Sequence, residues 1–399
     1  MAGSGRQASG VEFLLWVTAL SALVWVVLTL FHGWFWRTDV RLAPRGADGA
    51  DATTTVAIVV PARDEADVIG ETLAGLLAQD FPGRVEVILV DDNSTDGTAA
   101  VAARVAEAGR GASRVTSPGE PPAGWTGKLW ALRHGVDLAG DVDWILFTDA
   151  DIAHGPDSLA RLVGEAERDG LDMVSVMARL RVHTRWERLI VPAFVYFFAK
   201  LFPFRRVNRA GSRTAAAAGG CVLVRRTALE HAGGVEVIRD AVIDDVSLAV
   251  AVKRSGGRIR LVLADGPDRH VDSVRPYPRL ADLWNMVARS AFAQLRHSWP
   301  LLIGTVFGLA LVYLAPPVAL VAGVLGADVP LAVLGLAVWA LMTATYVPMV
   351  RYYGRPGVEA VLLPFAATLY LGMTVHSAVR HVRGHGAAWK GRTYPAPAE

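Results

Sequence analysis

The sequence predicts an α/β protein in which a doubly wound domain with parallel strands is joined to transmembrane helices. Short apolar runs alternate with amphipathic segments across residues 52–275, which is typical of strands connected by crossover helices. Long stretches without charged side chains lie before and after this region. The mean hydropathy is +0.34 and only 20% of the residues are charged, which excludes a disordered chain and an ordinary soluble enzyme.

The charge and cysteine content of the chain limits its partners. The 40 basic and 38 acidic residues leave a formal charge of +2, which is too small to create the field that gathers nucleic acid. We therefore expect no nucleic-acid partner. Cys221 is the single cysteine, so the chain forms no intrachain disulfide and no cysteine-based zinc cluster. This composition fits a main domain in a reducing compartment.

The first apolar stretch, Phe13–Phe31, is long enough to cross a bilayer as a helix. It follows a short N-terminal tail, residues 1–12, and we interpret residues 13–36 as an uncleaved transmembrane anchor. A cleaved signal peptide is the alternative, but no small-residue cleavage site follows the stretch. Arginines come next, at positions 37, 41 and 45, and the positive-inside rule then puts the following domain in the cytosol.

The C-terminal transmembrane region, residues 300–379, holds three further apolar stretches, 300–326, 329–350 and 360–379. With the anchor they predict about four spans in a multi-pass protein of the cell (inner) membrane. Pro316, Pro317 and Pro364 interrupt two of the stretches, so the region holds either three full crossings or one re-entrant segment. Three full crossings put the basic tail, residues 380–399, outside, against the positive-inside rule. The side of that tail is left open.

Six short apolar runs have the length and the β-branched content of buried strands. They are residues 56–60, 85–90, 144–147, 173–177, 221–224 and 259–263. The segments 68–78 and 98–108 have the composition of crossover helices. In doubly wound sheets ligands bind beyond the carboxyl ends of the strands, so the residues just after each run are the candidates for a site.

Acidic residues follow two of these runs, and a third acidic pair follows Ile243. Asp91-Asp92 begins a polar turn, and two adjacent carboxylates are more than helix capping requires. Asp149 and Asp151 follow another run, and their carboxylates can hold a hard divalent cation. A D-x-D pattern alone arises by chance, so it is the position directly after an apolar strand that makes this one a candidate metal site. Asp244-Asp245 is either the N-terminal charge of a helix or the source of a catalytic carboxylate.

Four segments together resemble the inverting glycosyltransferases of family 2, which have the Rossmann-like GT-A fold of nucleotide-diphospho-sugar transferases. They are Pro61-Ala-Arg-Asp-Glu65, Val90–Thr98, Asp149-Ala-Asp151 and Ile243-Asp-Asp245. Asp64 stands where the family's first element has asparagine, and Asp244 stands where its last element has glutamate. Gly124–Ala131 and Trp389–Arg392 resemble the membrane branch associated with hopanoid biosynthesis and the related carotenoid and ceramide glucosyltransferases.

The resemblance implies a nucleotide-diphosphate sugar donor, most often UDP-linked, and attack on the anomeric carbon with inversion. It implies a nucleotide pocket formed by Pro61, Ala62, Glu65, Asp91 and Asp92, with Asp92 against the uracil. Lys128 would lie near the ribose or the phosphates. Asp149 and Asp151 would hold Mg²⁺ or Mn²⁺ on the diphosphate, and Asp245, beside Asp244, would be the base. A metal stabilises the leaving diphosphate, and the base takes the proton of the acceptor hydroxyl.

Residues 286–290 stand where the processive polysaccharide synthases of this family carry Q-x-x-R-W, and only the arginine of that motif, Arg289, is retained. Arg289 is therefore either a contact to the diphosphate or a plain interfacial arginine. The loss of the other motif residues counts against a processive synthase.

Two segments favour a lipid as the acceptor. The aromatic stretch Leu189–Phe204 is short for a span and has basic flanks, which favours a position in the headgroup region; a buried core helix is the alternative. Residues 276–299, with interspersed tryptophans and arginines, are a second interfacial candidate. We expect transfer of one sugar to a membrane lipid. The alternatives are a processive synthase and a non-catalytic sugar-nucleotide or lipid-binding membrane module.

Overall fold

Two compact units make up the part of the chain that the computed structural model describes, residues 2–45, 51–265, 271–384, 388–389 and 392–393. The sheet unit combines residues 39–181 and 204–276 with the described residues after 384. The helical unit combines the residues up to 38 with 182–203 and 277–384. Residues 182–203 therefore group with the helices, although they lie inside the domain that the sequence predicts over 52–275.

Strands in the described residues belong to the sheet unit. They are β1 (Thr55–Ala62), β2 (Arg84–Asp91), β3 (Ala112–Thr116), β4 (Trp144–Thr148), β5 (Ile152–His154), β6 (Met173–Met177), β7 (Cys221–Arg225), β8 (Ile259–Leu263), β9 (Val271–Ser273), β10 (Ala388–Trp389) and β11 (Arg392–Thr393). A seven-stranded sheet has the order β3-β2-β1-β4-β7-β6-β8. β5 pairs with β9 and β10 pairs with β11, both antiparallel.

Helices pack around the sheet of the sheet unit and build the helical unit. Those of the described residues are α1 (Ala2–Phe31), α2 (Ala66–Leu77), α3 (Thr98–Ala108), α4 (Gly127–Leu138), α5 (Ser158–Arg168), α6 (Arg185–Leu201), α7 (Phe204–Val207), α8 (Arg226–His231), α9 (Asp244–Arg254), α10 (Leu280–Ala288), α11 (Ala291–Gln294), α12 (Trp299–Leu309), α13 (Ala315–Leu325), α14 (Val329–Tyr352) and α15 (Leu363–Val382). Turns of 3-10 helix occur at Val235–Ile238 and Gly357–Leu362, and a π-helical turn occurs at Ala310–Leu314.

The central strand β1 organises the core of the sheet unit. Its residues 56–60 are all buried, as expected for a strand that is covered on both faces. Ile69, Leu73 and Leu76 of α2 join this core at the spacing of a helix that buries one side. Parallel ladders align β1 with β2 and β4, so the carboxyl ends of the three strands meet at one edge. The six predicted strands and the two predicted crossover helices are confirmed.

The expectation of parallel strands is wrong at β7, which runs antiparallel to both of its neighbours, β4 and β6. A buried antiparallel strand has the same continuous apolar run as a buried parallel one, so residues 221–224 carry no information on direction. The reversal brings the turn before β7, Gly219-Gly220, beside the end of β4, where Asp149 N donates to Gly220 O at 3.3 Å. Strands β3, β5 and β9 are not predicted by the sequence pattern.

Among the described residues, four helices of the helical unit are long and apolar enough to cross a membrane: Gly10–Phe31, Trp299–Leu325, Val329–Tyr352 and Gly357–Val382. They coincide with the four apolar stretches of the sequence. Pro364 lies in the first turn of α15, where its missing N–H costs no helical hydrogen bond. Pro316 and Pro317 lie in the first turn of α13, directly after the π-helical turn. The prolines therefore do not end these helices, which counts against a re-entrant segment.

The stretch Leu189–Phe204 forms most of α6, and one side of this helix is buried in the helical unit. Tyr196 Oη lies 2.8 Å from Thr345 Oγ1 of α14, and Tyr370 Oη of α15 donates to Ile190 O at 3.4 Å. Protein, rather than lipid headgroups, therefore surrounds this side of the helix. The buried-helix alternative describes this side of the stretch, and a position of its other side in the headgroup region stays a prediction.

We expect Gly135→Ala to destabilise the sheet unit and Gly70→Ala to leave it stable. A Cβ at Gly135 of α4 would lie 2.3 Å from Val59 Cγ1 of β1, so the helix would have to move away from the strand. Overpacking of this kind costs about 1–3 kcal/mol. A Cβ at Gly70 of α2 would meet only Val101 Cγ1, at an ordinary 3.6 Å, and alanine favours a helix over glycine by about 1 kcal/mol.

The stability of the sheet unit can be measured through the buried thiol of Cys221, because it is the only cysteine of the chain. A fluorogenic maleimide reports the temperature at which this thiol becomes reactive in detergent-purified protein. That temperature should fall for Gly135→Ala and stay equal or rise for Gly70→Ala. An unchanged temperature for Gly135→Ala would contradict the close packing of α4 on β1.

Candidate active site

A cleft in the sheet unit opens where β1 and β4 end, beside the turn before β7 and the start of α9. Apolar side chains of β4, β7 and α9 surround a few polar groups. The polar and backbone contributors are Pro61, Lys128, Asp149, Gly219, Asp244 and Asp245. An apolar pocket with a few convergent polar groups is the usual form of a small-molecule site.

Lys128 lies at the centre of the polar groups in this cleft. Its Nζ lies 2.9 Å from Asp149 Oδ1 and 3.1 Å from Asp244 Oδ2. Thr126 fixes the start of α4 and hence the position of the lysine, because its side chain accepts a hydrogen bond from Leu129 N at 3.3 Å. Burial lowers the pKa of Lys128, but the two carboxylates raise it by more, so the ammonium stays charged.

The carboxylates of the cleft outnumber its cation. Burial raises the pKa of Asp149, and the negative charges of Asp151 and Asp244 raise it further, while Lys128 lowers it. Asp244 and Asp245 add two carboxyl groups against the single ammonium. The cleft therefore has an excess of negative charge when all of its carboxyl groups are ionised, which favours the binding of a cation.

Asp245 is held by the backbone on both of its oxygens. Oδ2 accepts from Gly219 N and Oδ1 accepts from Val246 N, both at 2.7 Å. Burial and the neighbouring Asp244 raise the pKa of Asp245 to about 7, although Lys128 and the two backbone bonds oppose the shift. A Cβ at Gly219 would lie 3.2 Å from Asp245 Oδ2, so the glycine permits this close approach. A positioned carboxylate that titrates near neutral pH suits a proton acceptor.

Asp151 makes a different set of contacts from Asp149. Its Oδ2 accepts from Arg275 Nε at 2.9 Å and from Ser273 Oγ at 3.1 Å. The same arginine donates through Nη2 to both carboxylate oxygens of Glu65, at 2.5 and 2.6 Å. Arg275 therefore ties the D-x-D segment to the loop after β1. Neither Arg275 nor Ser273 belongs to a sequence motif, and the pairing of β5 with β9 helps to bring them to this position.

The residues of the cleft fit a divalent metal that a substrate helps to hold, rather than a preformed metal cage. Within the described residues, no group of three or more His, Cys, Asp or Glu side chains is arranged to hold a metal ion. Mg²⁺ usually binds to one or two carboxylates together with substrate phosphates. Asp149 and the excess negative charge around it match this requirement. Asp151 can join through Oδ1, because both of its side-chain hydrogen bonds among the described residues use Oδ2.

The loops after β1 and β2 form the neighbouring wall of the sheet edge. Asp92 is fully buried, its N donates to Ala62 O at 2.8 Å, and Arg63 Nη1 lies 3.6 Å from Asp92 Oδ2. Asp91 Oδ2 accepts from Ser94 N at 3.2 Å, whereas the buried Asp91 Oδ1 has no hydrogen-bond partner among the described residues. A buried oxygen of this kind is a ready acceptor for a ligand N–H or O–H.

Asp64 connects these two loops and explains why aspartate can stand where the family has asparagine. It has φ 50°, in the left-handed region that asparagine and aspartate tolerate better than most residues. Its Oδ1 accepts from Thr95 N at 2.8 Å, and its N donates to Ser94 Oγ at 3.0 Å. Either residue type can make both contacts, because each offers a side-chain oxygen for the first and a backbone N–H for the second.

Comparison with known proteins finds similarity to glycosyltransferases over the middle of the chain. Residues 57–233 match the family model of glycosyl transferase family 2. The 4,4'-diaponeurosporenoate glycosyltransferase of Staphylococcus aureus (strain bovine RF122 / ET3-1) is 33% identical over 117 residues, and the match covers 29% of each chain. The Probable glycosyltransferase YdaM of Bacillus subtilis (strain 168) is 27% identical over 60% of this chain and 57% of its own length. The chain thus spans less than two thirds of either relative.

One solved structure shares the fold over most of the chain. It is the mannosyltransferase PcManGT of Pyrobaculum calidifontis, in complex with GDP-Man and Mn²⁺. The TM-score is 0.54 and the identity 20%, and the match covers 92% of this chain and 99% of that one. The expected GT-A fold with long apolar helices is confirmed.

The structure brings some of the sequence-predicted site residues together and separates others. Those in the cleft are Pro61, Lys128, Asp149, Asp244 and Asp245. Glu65 and Asp151 meet at Arg275, whereas Ala62, Asp91 and Asp92 lie where β1 and β2 end. Arg289 lies in the helical unit, exposed at the end of α10. In the segment Trp389–Arg392, Lys390 and Gly391 lie outside the described residues.

We expect Arg275→Met to destabilise the sheet unit. The substitution leaves Asp151 and Glu65, at 14% and 8% side-chain exposure, without their shared cation. Removing one member of a buried ion pair costs about 3–5 kcal/mol, and partial exposure of the arginine reduces this to about 1–3 kcal/mol. The temperature of Cys221 labelling should fall accordingly.

Arg114→Met is the matched control for this variant. Arg114 pairs with Glu86 at 3.0 Å on the surface, with 46% and 33% side-chain exposure. Exposed pairs contribute about 0–1 kcal/mol, so the labelling temperature should barely change. Equal changes of the labelling temperature in the two variants would show that Arg275 stabilises the sheet unit no more than an exposed arginine does.

Proposed function

We propose that the chain is a membrane-bound glycosyltransferase that moves one sugar from a nucleotide-diphosphate donor to a lipid. The observation that carries this proposal is the cleft in which Lys128 lies between Asp149 and Asp244 while Asp245 faces the same space. Most residues that line the cleft belong to residues 57–233, which match glycosyl transferase family 2, whereas Asp244 and Asp245 follow that segment. The cleft opens at the carboxyl edge of the sheet, where such folds bind ligands.

The chemistry requires one base and positive charge near the leaving group. Asp245 takes the proton of the acceptor hydroxyl as its oxygen forms a bond to the anomeric carbon. The bond from that carbon to the donor diphosphate breaks, and its electron pair leaves with the nucleoside diphosphate. A single displacement of this kind inverts the anomeric centre and needs one carboxylate base, unlike the carboxylate pair of a hydrolase.

Lys128 supplies positive charge on the donor side of the cleft. A bound Mg²⁺ or Mn²⁺ would add to the stabilisation of the diphosphate as it accepts charge. Asp149 and Asp151 are the residues that we propose to hold the metal, following the family resemblance. Arg275 lies beside this position, and the diphosphate is a suitable further partner for its guanidinium.

We propose a UDP-linked sugar as the donor. The family resemblance pairs Asp92 with the uracil and lines the pocket with Pro61, Ala62 and Glu65. Asp91 Oδ1, buried and without a hydrogen-bond partner among the described residues, supports a nucleoside at this wall because it can accept from a base or ribose. Arg289 stays a proposed diphosphate contact.

A lipid acceptor and a cytosolic sheet unit complete the proposal. The four apolar helices support a place in the cell membrane, and the Staphylococcus aureus relative is named for a carotenoid acid. A hopanoid or isoprenoid lipid is the proposed acceptor class.

Arg37, Arg41 and Arg45 favour the cytosolic side for the sheet unit. A cysteine introduced at the exposed Arg110 in a Cys221→Ala background should react with an impermeant maleimide only after cells are opened.

The direct test uses the full chain in detergent with a panel of UDP-sugars and GDP-mannose. Nucleoside diphosphate release is followed with and without a hopanoid or an isoprenoid lipid, and with and without EDTA. We expect release from a UDP-sugar that depends on the lipid and is abolished by EDTA. Binding without any release indicates the non-catalytic module, and a polymeric product indicates the processive synthase.

Asp245→Asn should abolish most turnover while donor binding persists. The substitution keeps the shape of the side chain but removes the proton acceptor, and a general base contributes about two to four orders of magnitude. Calorimetry with the donor should give near wild-type affinity. Asp244→Asn is the matched control: it loosens Lys128, so it should weaken donor binding and reduce turnover by less. The reverse ranking would assign the base to Asp244.

The pH dependence of turnover should follow the ionisation of Asp245. The base acts unprotonated and its pKa is about 7, so turnover should fall as the pH drops below 7, by roughly tenfold per unit well below the pKa. Asp244→Asn removes the negative charge that raises this pKa, so the midpoint of the profile should move to lower pH. An unchanged midpoint would show that the charge of Asp244 does not raise the pKa of Asp245.

A further inference from the structure

A lysine that has no acidic partner among the described residues lies among aromatic side chains in the helical unit. Lys200 is half-buried in the last turn of α6. Its Nζ donates to Tyr313 Oη at 2.8 Å and lies 4.5 Å from the centroid of the Tyr313 ring and 5.7 Å from that of Phe197. An ammonium has three donors, and among the described residues Tyr313 Oη is its one hydrogen-bond acceptor.

The acidic residues of the helical unit are engaged elsewhere or exposed. Glu187 accepts from the backbone N–H groups of His183, Thr184 and Tyr277. Glu359 pairs with Arg355, Asp282 pairs with Arg279, and Asp328 caps α14. Glu12 is exposed on α1. None of the salt bridges within the described residues involves Lys200, and a partly buried cation without a counter-ion is costly unless a ligand supplies the negative charge.

The direction of the Lys200 side chain is unusual for a membrane protein. Its backbone O lies 2.7 Å from Nε2 of His32, the residue directly after α1. The backbone of Lys200 is therefore level with the end of the first candidate span, the depth at which lipid headgroups lie. A lysine there normally extends toward water, whereas Lys200 turns to Tyr313, a residue of another candidate span.

The partner of Lys200 is fixed by an irregular helix. Tyr313 is fully buried and belongs to the π-helical turn Ala310–Leu314, a feature that is frequent at functional sites. Trp25 Nε1 donates to Val312 O in this turn at 2.8 Å, and the Trp25 ring meets the edge of the Tyr313 ring at a centroid distance of 5.6 Å. The hydroxyl that orients the ammonium is therefore held in position.

We propose that Lys200, oriented by Tyr313, binds the anionic headgroup, a phosphate or a carboxylate, of a membrane lipid. The ammonium supplies charge-assisted hydrogen bonds, and the headgroup supplies the counter-ion that the described residues do not provide. A lipid, rather than a free anion, suits this position because apolar candidate spans flank it. The site belongs to the helical unit, goes beyond the proposed transfer reaction and does not depend on it.

Native mass spectrometry of the full chain in detergent tests this site without any enzymatic step. The probes are phosphatidylglycerol and diacylglycerol with the same acyl chains. The wild type should retain phosphatidylglycerol preferentially, and Lys200→Met should lower that affinity by about 10- to 100-fold, as expected for loss of a charge-assisted hydrogen bond. Lys200→Arg should keep the preference, and Tyr313→Phe should lower it by about 2- to 10-fold.

Arg351→Met is the matched control, since it removes one exposed cation from the end of α14. It should leave phosphatidylglycerol binding unchanged. Three outcomes would overturn the proposal: wild-type binding by Lys200→Met, an equal loss in Arg351→Met, or displacement of phosphatidylglycerol by millimolar inorganic phosphate. Because Lys200→Met replaces the partly buried cation with an apolar chain of similar length, we expect it to fold, and Tyr313→Phe provides an independent readout.

Discussion

The pairing of Lys128 with Asp149 and Asp244 is the constraint on which the candidate site depends. The three residues come from the start of α4, the end of β4 and the start of α9. The ammonium lowers the pKa of Asp149 and of Asp245, which burial and neighbouring carboxyl groups raise. One buried cation therefore fixes the relative position of three elements and the ionisation of the groups around them.

The parts of this arrangement that local sequence could predict are those set by the end of a strand. Asp149 follows the apolar run of β4 and Asp91 ends β2, and a strand buried on both faces is recognisable from composition alone. The start of α3 at Thr98 follows from the polar turn before it. The role of Lys128 came only from resemblance, because one lysine near a helix start carries no local signal.

Other features depend on contacts between distant residues, and sequence patterns do not contain them. The direction of β7 is one, and the approach of Gly219 to Asp245 follows from it. The bridge from Arg275 to Glu65 joins residues that are 210 positions apart. Similarly, hydropathy locates the candidate spans, but the apolar sequence of α6 does not indicate whether lipid or protein covers the helix.

The bridge of Arg275 places one positive charge between Asp151 and Glu65. The guanidinium offsets part of the negative charge of both carboxylates, so a divalent ion alone would be attracted to Asp151 less strongly than to a carboxylate without a cation. A diphosphate that arrives with the ion would bring negative charge for the ion and for the guanidinium. The resting protein would then discriminate against metal ions that arrive without a nucleotide.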